Sequence, residues 1–191
     1  MNPQGLGRVR ASQISQVLAK GKGKTRAALR DLLVAERMTG EYAPSFTSDA
    51  MRWGSEQEQF ARAAYEAERG VMVDKLPGRS HPSLESGASA DGEVGEYGIL
   101  EIKCPNTATH VGWMFDACVP SEHIPQIQWQ LACYPERTWC DFVSFDVRMP
   151  EGSRLWIAPR VVRDDAWIKA TEAEVEKFLA EVAEMVERLS V

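Results

Sequence analysis

The stretch SADGEVGEYGILEIKCPNT, Ser89 to Thr107, constrains the fold of this chain more than any other. A short apolar run, Ile99–Lys103, carries Glu101 and Lys103 on alternate positions and stops at Cys104-Pro105. Proline has no N–H to give a ladder, so the strand ends there. Side chains two apart in a strand share a face, which predicts a core face from Leu100 and Ile102 and a charged face from Glu101 and Lys103. Upstream, Asp91-Gly92 precedes the turn EVGEYG. If residues 89–93 pair with 99–103 as a hairpin, Asp91 lands beside Glu101.

Two neighbouring carboxylates repel, and at least one resists ionisation unless a cation lies between them. Mg²⁺ meets that need, because it takes oxygen ligands, is satisfied by one or two carboxylates and keeps several waters. Such an ion activates water and neutralises phosphate charge, while an adjacent lysine orients the water or stabilises developing charge. Asp91, Glu101 and Lys103 therefore make a plausible site for phosphodiester hydrolysis. The competing reading makes Glu101 and Lys103 the solvated face of an edge strand, and for an isolated Glu-x-Lys that reading is favoured.

The rest of the chain supplies a core around this strand. Its 191 residues, 44% hydrophobic and 26% charged, suit one globular domain spanning 1–191. Short helices are expected over residues 12–19, with Ser12 as N-cap, and over 25–38, with a longer one over 47–69. On the last, Gly54, Glu58, Ala61 and Tyr65 share a face. Helical periodicity resumes over 122–134, strands are expected at 139–146 and 155–162, and a final helix begins at a Thr171/Glu174 capping box. That order predicts an α/β or α+β domain with a mixed sheet.

No apolar run is long enough to span a bilayer, and MNPQGLGRVRAS lacks the hydrophobic segment of a secretory signal, so a cytoplasmic protein is the expectation. Cysteines at 104, 118, 133 and 140 show no Cys-x-x-Cys spacing and read as reduced, mostly buried thiols. A net charge of −6 argues weakly against bulk electrostatic capture of nucleic acid, although Lys20 to Arg30, KGKGKTRAALR, forms a local basic stretch.

SADG followed by LEIKCP resembles the nuclease core of the PD-(D/E)XK superfamily, and more closely its lambda-exonuclease or YqaJ-type viral recombinase branch. Four more stretches agree in order. RWGSEQE, Arg52 to Glu58, is similar to the family's Trp-Gly helix with its supporting Glu. HPSLESGASADG, from His81, resembles the segment running into the catalytic Asp. IPQIQWQLACY places Gln126 where the family has a Gln beside the active site, and GRVRAS, Gly7 to Ser12, resembles the stretch whose Ser helps hold a 5′-phosphate.

The resemblance implies an α/β fold with a restriction-endonuclease-like core, its mixed central sheet flanked by helices. It implies Mg²⁺, or Mn²⁺ as substitute, on Asp91, Glu101 and the Ile102 backbone carbonyl, with Glu58 in support, Lys103 activating water and Gln126 positioning groups nearby. Ser12 and Ser89 would contact the terminal phosphate. The activity implied is 5′→3′ digestion of one strand of linear double-stranded DNA to 5′-mononucleotides, leaving 3′ overhangs for a single-strand annealing protein in phage-type recombination. The implied enzyme is bacterial or phage-encoded and forms a homotrimeric ring around DNA ends, with the Lys20–Arg30 stretch available to line the channel.

The chain departs from the family pattern at several points. Ala90 stands where proline is usual, and Arg10 where threonine is. Gly5 falls where the family has a phosphate-binding Arg, so either Arg8 or Arg10 substitutes or end recognition is weakened. A downstream Arg is missing near Thr109-His110, and His110 is the candidate for part of its phosphate role. The alternatives are a PD-(D/E)XK endonuclease or other DNA-processing nuclease, and a catalytically inactive DNA-binding recombination subunit.

Overall fold

A computed structural model describes residues 5–19, 24–44 and 48–190. In chain order its regular elements are β1 (Val9–Arg10), α1 (Ile14–Val17), α2 (Lys24–Thr39), α3 (Asp49–Arg69), β2 (Val73–Asp74), β3 (Arg79–Ser80), β4 (Ser86–Ala88), β5 (Gly92–Val94), β6 (Gly98–Lys103), α4 (Thr107–Asp116), α5 (Ile124–Cys133), β7 (Trp139–Phe145), β8 (Leu155–Ile157), β9 (Val161–Val162) and α6 (Asp165–Leu189).

The main sheet runs β2-β5-β6-β7-β8, with β9 also on β7. It is mixed: β5 pairs antiparallel with β6, and β6 pairs parallel with β7 over its whole length. The parallel step requires a crossover, and α4 and α5 make it. Two apolar clusters lie on opposite faces of the sheet. Leu100 and Ile102 pack with Ala61 and Tyr65 of α3, while Ile99 and Phe142 pack with Trp129 of α5 and Phe178 of α6. A second sheet, β1-β4-β3, carries the N-terminal stretch, with β1 parallel to β4. The fold is therefore a mixed central sheet flanked by helices, and among the described residues no helix is long and apolar enough to cross a membrane.

β6 is a central strand, which removes the edge-strand reading. The predicted charged face is not solvated either: α5 covers it, and Glu101 is only 2% exposed. Pairing in the expected hairpin joins Gly92 to Leu100 and Val94 to Gly98, and Asp91 N–H extends it with a 3.0 Å bond to the Leu100 carbonyl. Gly95 at the turn has φ +58, a conformation costly for residues with a Cβ. Arg137 secures the turn by donating to the Gly95 and Glu96 carbonyls at 2.9 and 2.7 Å.

Several expected boundaries move. Ser12 sits within a 3₁₀ turn over Ala11–Gln13 and does not cap a helix; the Gln13 side chain accepts from Arg10 N–H at 3.0 Å. The final helix starts before the Thr171/Glu174 pattern, capped by Asp164, whose side chain accepts from Trp167 N–H at 2.9 Å; Thr171 is buried inside it. The 155–162 segment is two short strands, because Pro159 between them cannot donate. The helix α4 lies where no helix was expected. Residue 47, the expected start of the long helix, is outside the described residues.

Candidate active site

The hairpin and the crossover bring Asp91, Glu101 and Lys103 together as the spacing predicted. Ile102 N–H donates to Asp91 Oδ2 at 2.6 Å, so the carboxyl is held against β6. N–H and C=O of one extended residue face the same edge of a strand, which turns the Ile102 carbonyl toward the Asp91 side. Glu101 Oε1 accepts from Lys103 Nζ and, at 2.6 Å, from Gln126 Nε2 on α5. Its Oε2 accepts from Gln130 Nε2, also at 2.6 Å. Gln130, one helical turn beyond Gln126, was missed in the sequence because a glutamine in an apolar helix reads as a boundary residue; its spacing of four from Gln126 was the available signal.

Electrostatics in this corner follow from burial. The Asp91 carboxyl is pushed up to about 7, chiefly by desolvation and then by the Glu101 charge. Burial works against the charge on Lys103, but the Glu101 carboxylate and their hydrogen bond outweigh it, and the amine is held as an ammonium above its ordinary range. Burial pushes the Cys104 thiol up to about 12, so it stays protonated and is a poor ligand or nucleophile.

Glu58 approaches from α3 and pairs with Arg62 at 3.3 Å. Arg62 also donates to the Asp91 carbonyl, which makes it a tie between helix and hairpin rather than a surface partner alone. Among the described residues no three His, Cys, Asp or Glu side chains form a ready-made metal cage. The donor set still fits Mg²⁺ or Mn²⁺: two hard carboxylates, one of them raised by the other's charge, are the repulsion a small cation relieves, and waters complete the shell.

Next to this corner is a pocket of about 340 Å³ lined by Arg8, Arg10, Ser12, Arg79, Ser80, Ser89 and Gln126, among others. Ser12 and Ser89 thus lie on the wall of one cavity, joined to the carboxylates by Gln126. The loop carrying Arg8 is held down by α2: Gly7 N–H donates to Glu36 at 2.8 Å, and Arg37 donates to the Gly7 carbonyl at 2.8 Å. The two candidate arginines differ. Arg10 is drawn to Glu36 at 3.7 Å. Arg8 has no carboxylate partner among the described residues; it donates to Ser80 Oγ at 3.1 Å, and its Nε is buried without a partner. Arg79 of β3 lines the same pocket, stacked 5.1 Å over Tyr134 and paired with Glu136 at 2.7 Å.

One expectation does not hold. His110 is fully buried, with Nδ1 2.7 Å from Ser144 Oγ and Nε2 2.9 Å from the Ser153 carbonyl, so both ring nitrogens serve the core and neither is free for a phosphate. In the basic stretch, Arg26 is spent on a two-pronged bond to Glu181 of α6 at 2.7 and 2.8 Å and Arg30 on Asp31; residues 20–23 lie outside the described residues. The four cysteines are unpaired thiols: Cys133 and Cys140 are buried, Cys104 is half-buried and Cys118 is exposed.

A hairpin Asp, a central-strand Glu-x-Lys and a covering helix with paired glutamines thus meet at one corner of a restriction-endonuclease-like fold. The YqaJ-like viral recombinase domain matches residues 4–138, and the chain belongs to that family. Among solved structures it is similar to LHK-Exo, an alkaline exonuclease from Laribacter hongkongensis, at 40% identity and TM-score 0.90, covering 97% of this chain and 92% of that one. LHK-Exo in complex with dAMP matches equally well, over 96% of this chain and 92% of that chain. A phage-related exonuclease from Haemophilus somnus 129PT shares the fold at TM-score 0.78 and 16% identity, over 95% of this chain and 96% of that one. No curated protein sequence gives a significant match.

Proposed function

We propose that this protein is a divalent-metal-dependent 5′→3′ exonuclease. It digests one strand of linear double-stranded DNA to 5′-mononucleotides and leaves 3′ overhangs for a single-strand annealing partner. The enzyme is a deoxyribonuclease of the phage exonuclease type. The observation that carries the finer reading is the junction of the two halves of the site: the Asp91–Glu101–Lys103 corner shares Gln126 with a pocket walled by arginines and serines.

In this reading Asp91, Glu101 and the Ile102 carbonyl would hold Mg²⁺ or Mn²⁺, and the ion would supply Lewis-acid stabilisation and lower the pKa of water. Lys103, as an ammonium, orients the attacking water and stabilises charge on the phosphate, while Glu101 keeps it in place. Gln126 and Gln130 fix the Glu101 carboxylate. Arg62 keeps Glu58 and the Asp91 turn in register. Arg8 takes the place of the missing arginine at Gly5, because it has no carboxylate partner among the described residues; with Ser12, Ser89 and Arg79 it binds the terminal 5′-phosphate.

An overall charge of −6 suits retention of DNA by enclosure rather than by bulk attraction, so the proposed assembly is a homotrimeric ring in a cytoplasmic setting. Sedimentation should then give a mass near three times 21.3 kDa. The functional test compares linear and circular duplex DNA with Mg²⁺. Digestion of the linear form alone supports an exonuclease; cutting of both indicates an endonuclease, and cutting of neither a binding subunit.

A further inference from the structure

We propose that Gln130 is a positioning residue that sets the spacing between the end pocket and the carboxylate pair, and thereby the length of the product released. The inference rests on the exonuclease reading above. Gln130 is fully buried, and its single amide nitrogen serves both halves of the site: it donates to Glu101 Oε2 at 2.6 Å and to the Ser89 carbonyl at 3.0 Å. A primary amide offers two N–H groups in one plane, one for each acceptor, and does so without bringing a charge into the buried site. Among the described residues its Oε1 is buried with no hydrogen-bond partner. A buried orphan acceptor is unfavourable, and a side chain needed only to fill space here would be better apolar.

The rest of α5 has the same bridging character. Trp129 Nε1 donates to Ser86 Oγ at 2.8 Å, and at the end of the helix the single hydroxyl proton of Tyr134 has the Pro77 carbonyl at 2.9 Å and the Ala88 carbonyl at 3.2 Å to choose between. Together with Gln130, these bonds fasten α5 to the strand that lines the pocket. On the other side, Gln126 and Gln130 grip the two oxygens of Glu101. The helix is thus a strut between the place where a DNA end sits and the place where the backbone is cut. Gln126 reaches Glu101 and lines the pocket, and Gln130 behind it bonds Glu101 and the Ser89 backbone at once. A loosened strut lets the scissile phosphate sit at more than one distance from the held end.

The test uses Gln130→Met, which removes both donors at similar volume, on a linear duplex with 5′-phosphates. Loss of a well-set geometry should lower kcat by about tenfold to a hundredfold. KM should stay within about twofold, because the end pocket keeps its own residues. Dinucleotides and trinucleotides should appear beside mononucleotides in the products. Binding of the same end in chelator, followed by fluorescence anisotropy, should match wild type. The inference is overturned if folded Gln130→Met keeps wild-type kcat and releases only mononucleotides. It is equally overturned if kcat, KM and Tm all worsen together while the products remain mononucleotides, since that is a purely structural role. Should Gln130→Met not fold, Gln130→Asn, whose shorter arm cannot reach both acceptors, decides by the same readouts. A wild-type protein that degrades no linear duplex overturns the exonuclease reading and this inference with it, whereas an active wild type with an indifferent Gln130 overturns this inference alone.

Discussion

Asp91 is the residue on which the chemistry and the stability of the site meet. Its carboxyl binds a proton more tightly in the folded chain, near 7, than in the unfolded one, near the usual carboxylate value. Its contribution is therefore full below about pH 4 and is lost as pH rises through about 7. In chelator, calorimetry should show Tm falling between about pH 5 and 8 on this account, with Asp91→Asn flattening the slope. A divalent cation, which binds the ionised form, should raise Tm more at the upper end of that range than at the lower. Asp91→Asn and Lys103→Ala should each cost about 10²–10⁴-fold in turnover while leaving the fold intact, as measured by nuclease kinetics beside circular dichroism. At this scale the sequence was most legible where strand periodicity did the arranging. Asp91, Glu101 and Lys103 are brought together by alternation and one hairpin. The spacing of four between Gln126 and Gln130 marks a shared helix face but not the groups it reaches, and the distinction between Arg8 and Arg10 depends on which side chains cross between elements, which no spacing encodes. His110 was misread because only its place beside the missing family Arg pointed to it, whereas Ser144 and the Ser153 carbonyl give it a satisfied place in the core.

Among the elements, β6 does most to build the site, since each of its faces meets a different helix. Its first residue tolerates no side chain: a Cβ on Gly98 would lie 2.2 Å from the Trp139 ring. Gly98→Ala should destabilise the protein by about 1–3 kcal/mol through overpacking, read by denaturant unfolding. The cap of α6 gives a second, independent prediction: Asp164→Ala should cost about 1 kcal/mol and leave nuclease kinetics unchanged. The long helices and β6 were readable from period and punctuation. The β1-β4-β3 sheet was not, because strands of two or three residues carry no period. The Thr171/Glu174 pattern misled for a related reason: a four-residue capping signature also arises inside a helix, and Asp164 supplies the actual start. For α4 the start signal was present in Asn106, whose side chain accepts from Thr109 N–H at 2.9 Å.

In the whole molecule, two sheets serve two tasks. The large one presents the carboxylates, the small one walls the pocket, and α5 joins them. Because the pocket borders the corner, the account predicts that a 5′-phosphate matters to turnover. Arg8→Ala should raise KM for 5′-phosphorylated ends by about tenfold, with far less effect on 5′-hydroxyl ends, in steady-state assays on otherwise identical duplexes. The mixed-sheet class and its helical cover were legible in the order of elements. Burial of the Glu101 face was not, since only the crossover through α5 turns an apparently charged surface into an interior.

The proposed chemistry depends on a divalent ion between Asp91 and Glu101 with Lys103 beside it, and anomalous scattering from crystals soaked in Mn²⁺ locates such an ion. The expected peak is bound to one oxygen of each carboxylate and to the Ile102 carbonyl, at about 2.0–2.3 Å. The absence of any peak there in an otherwise ordered site, or a bound ion held by other residues, would contradict that chemistry.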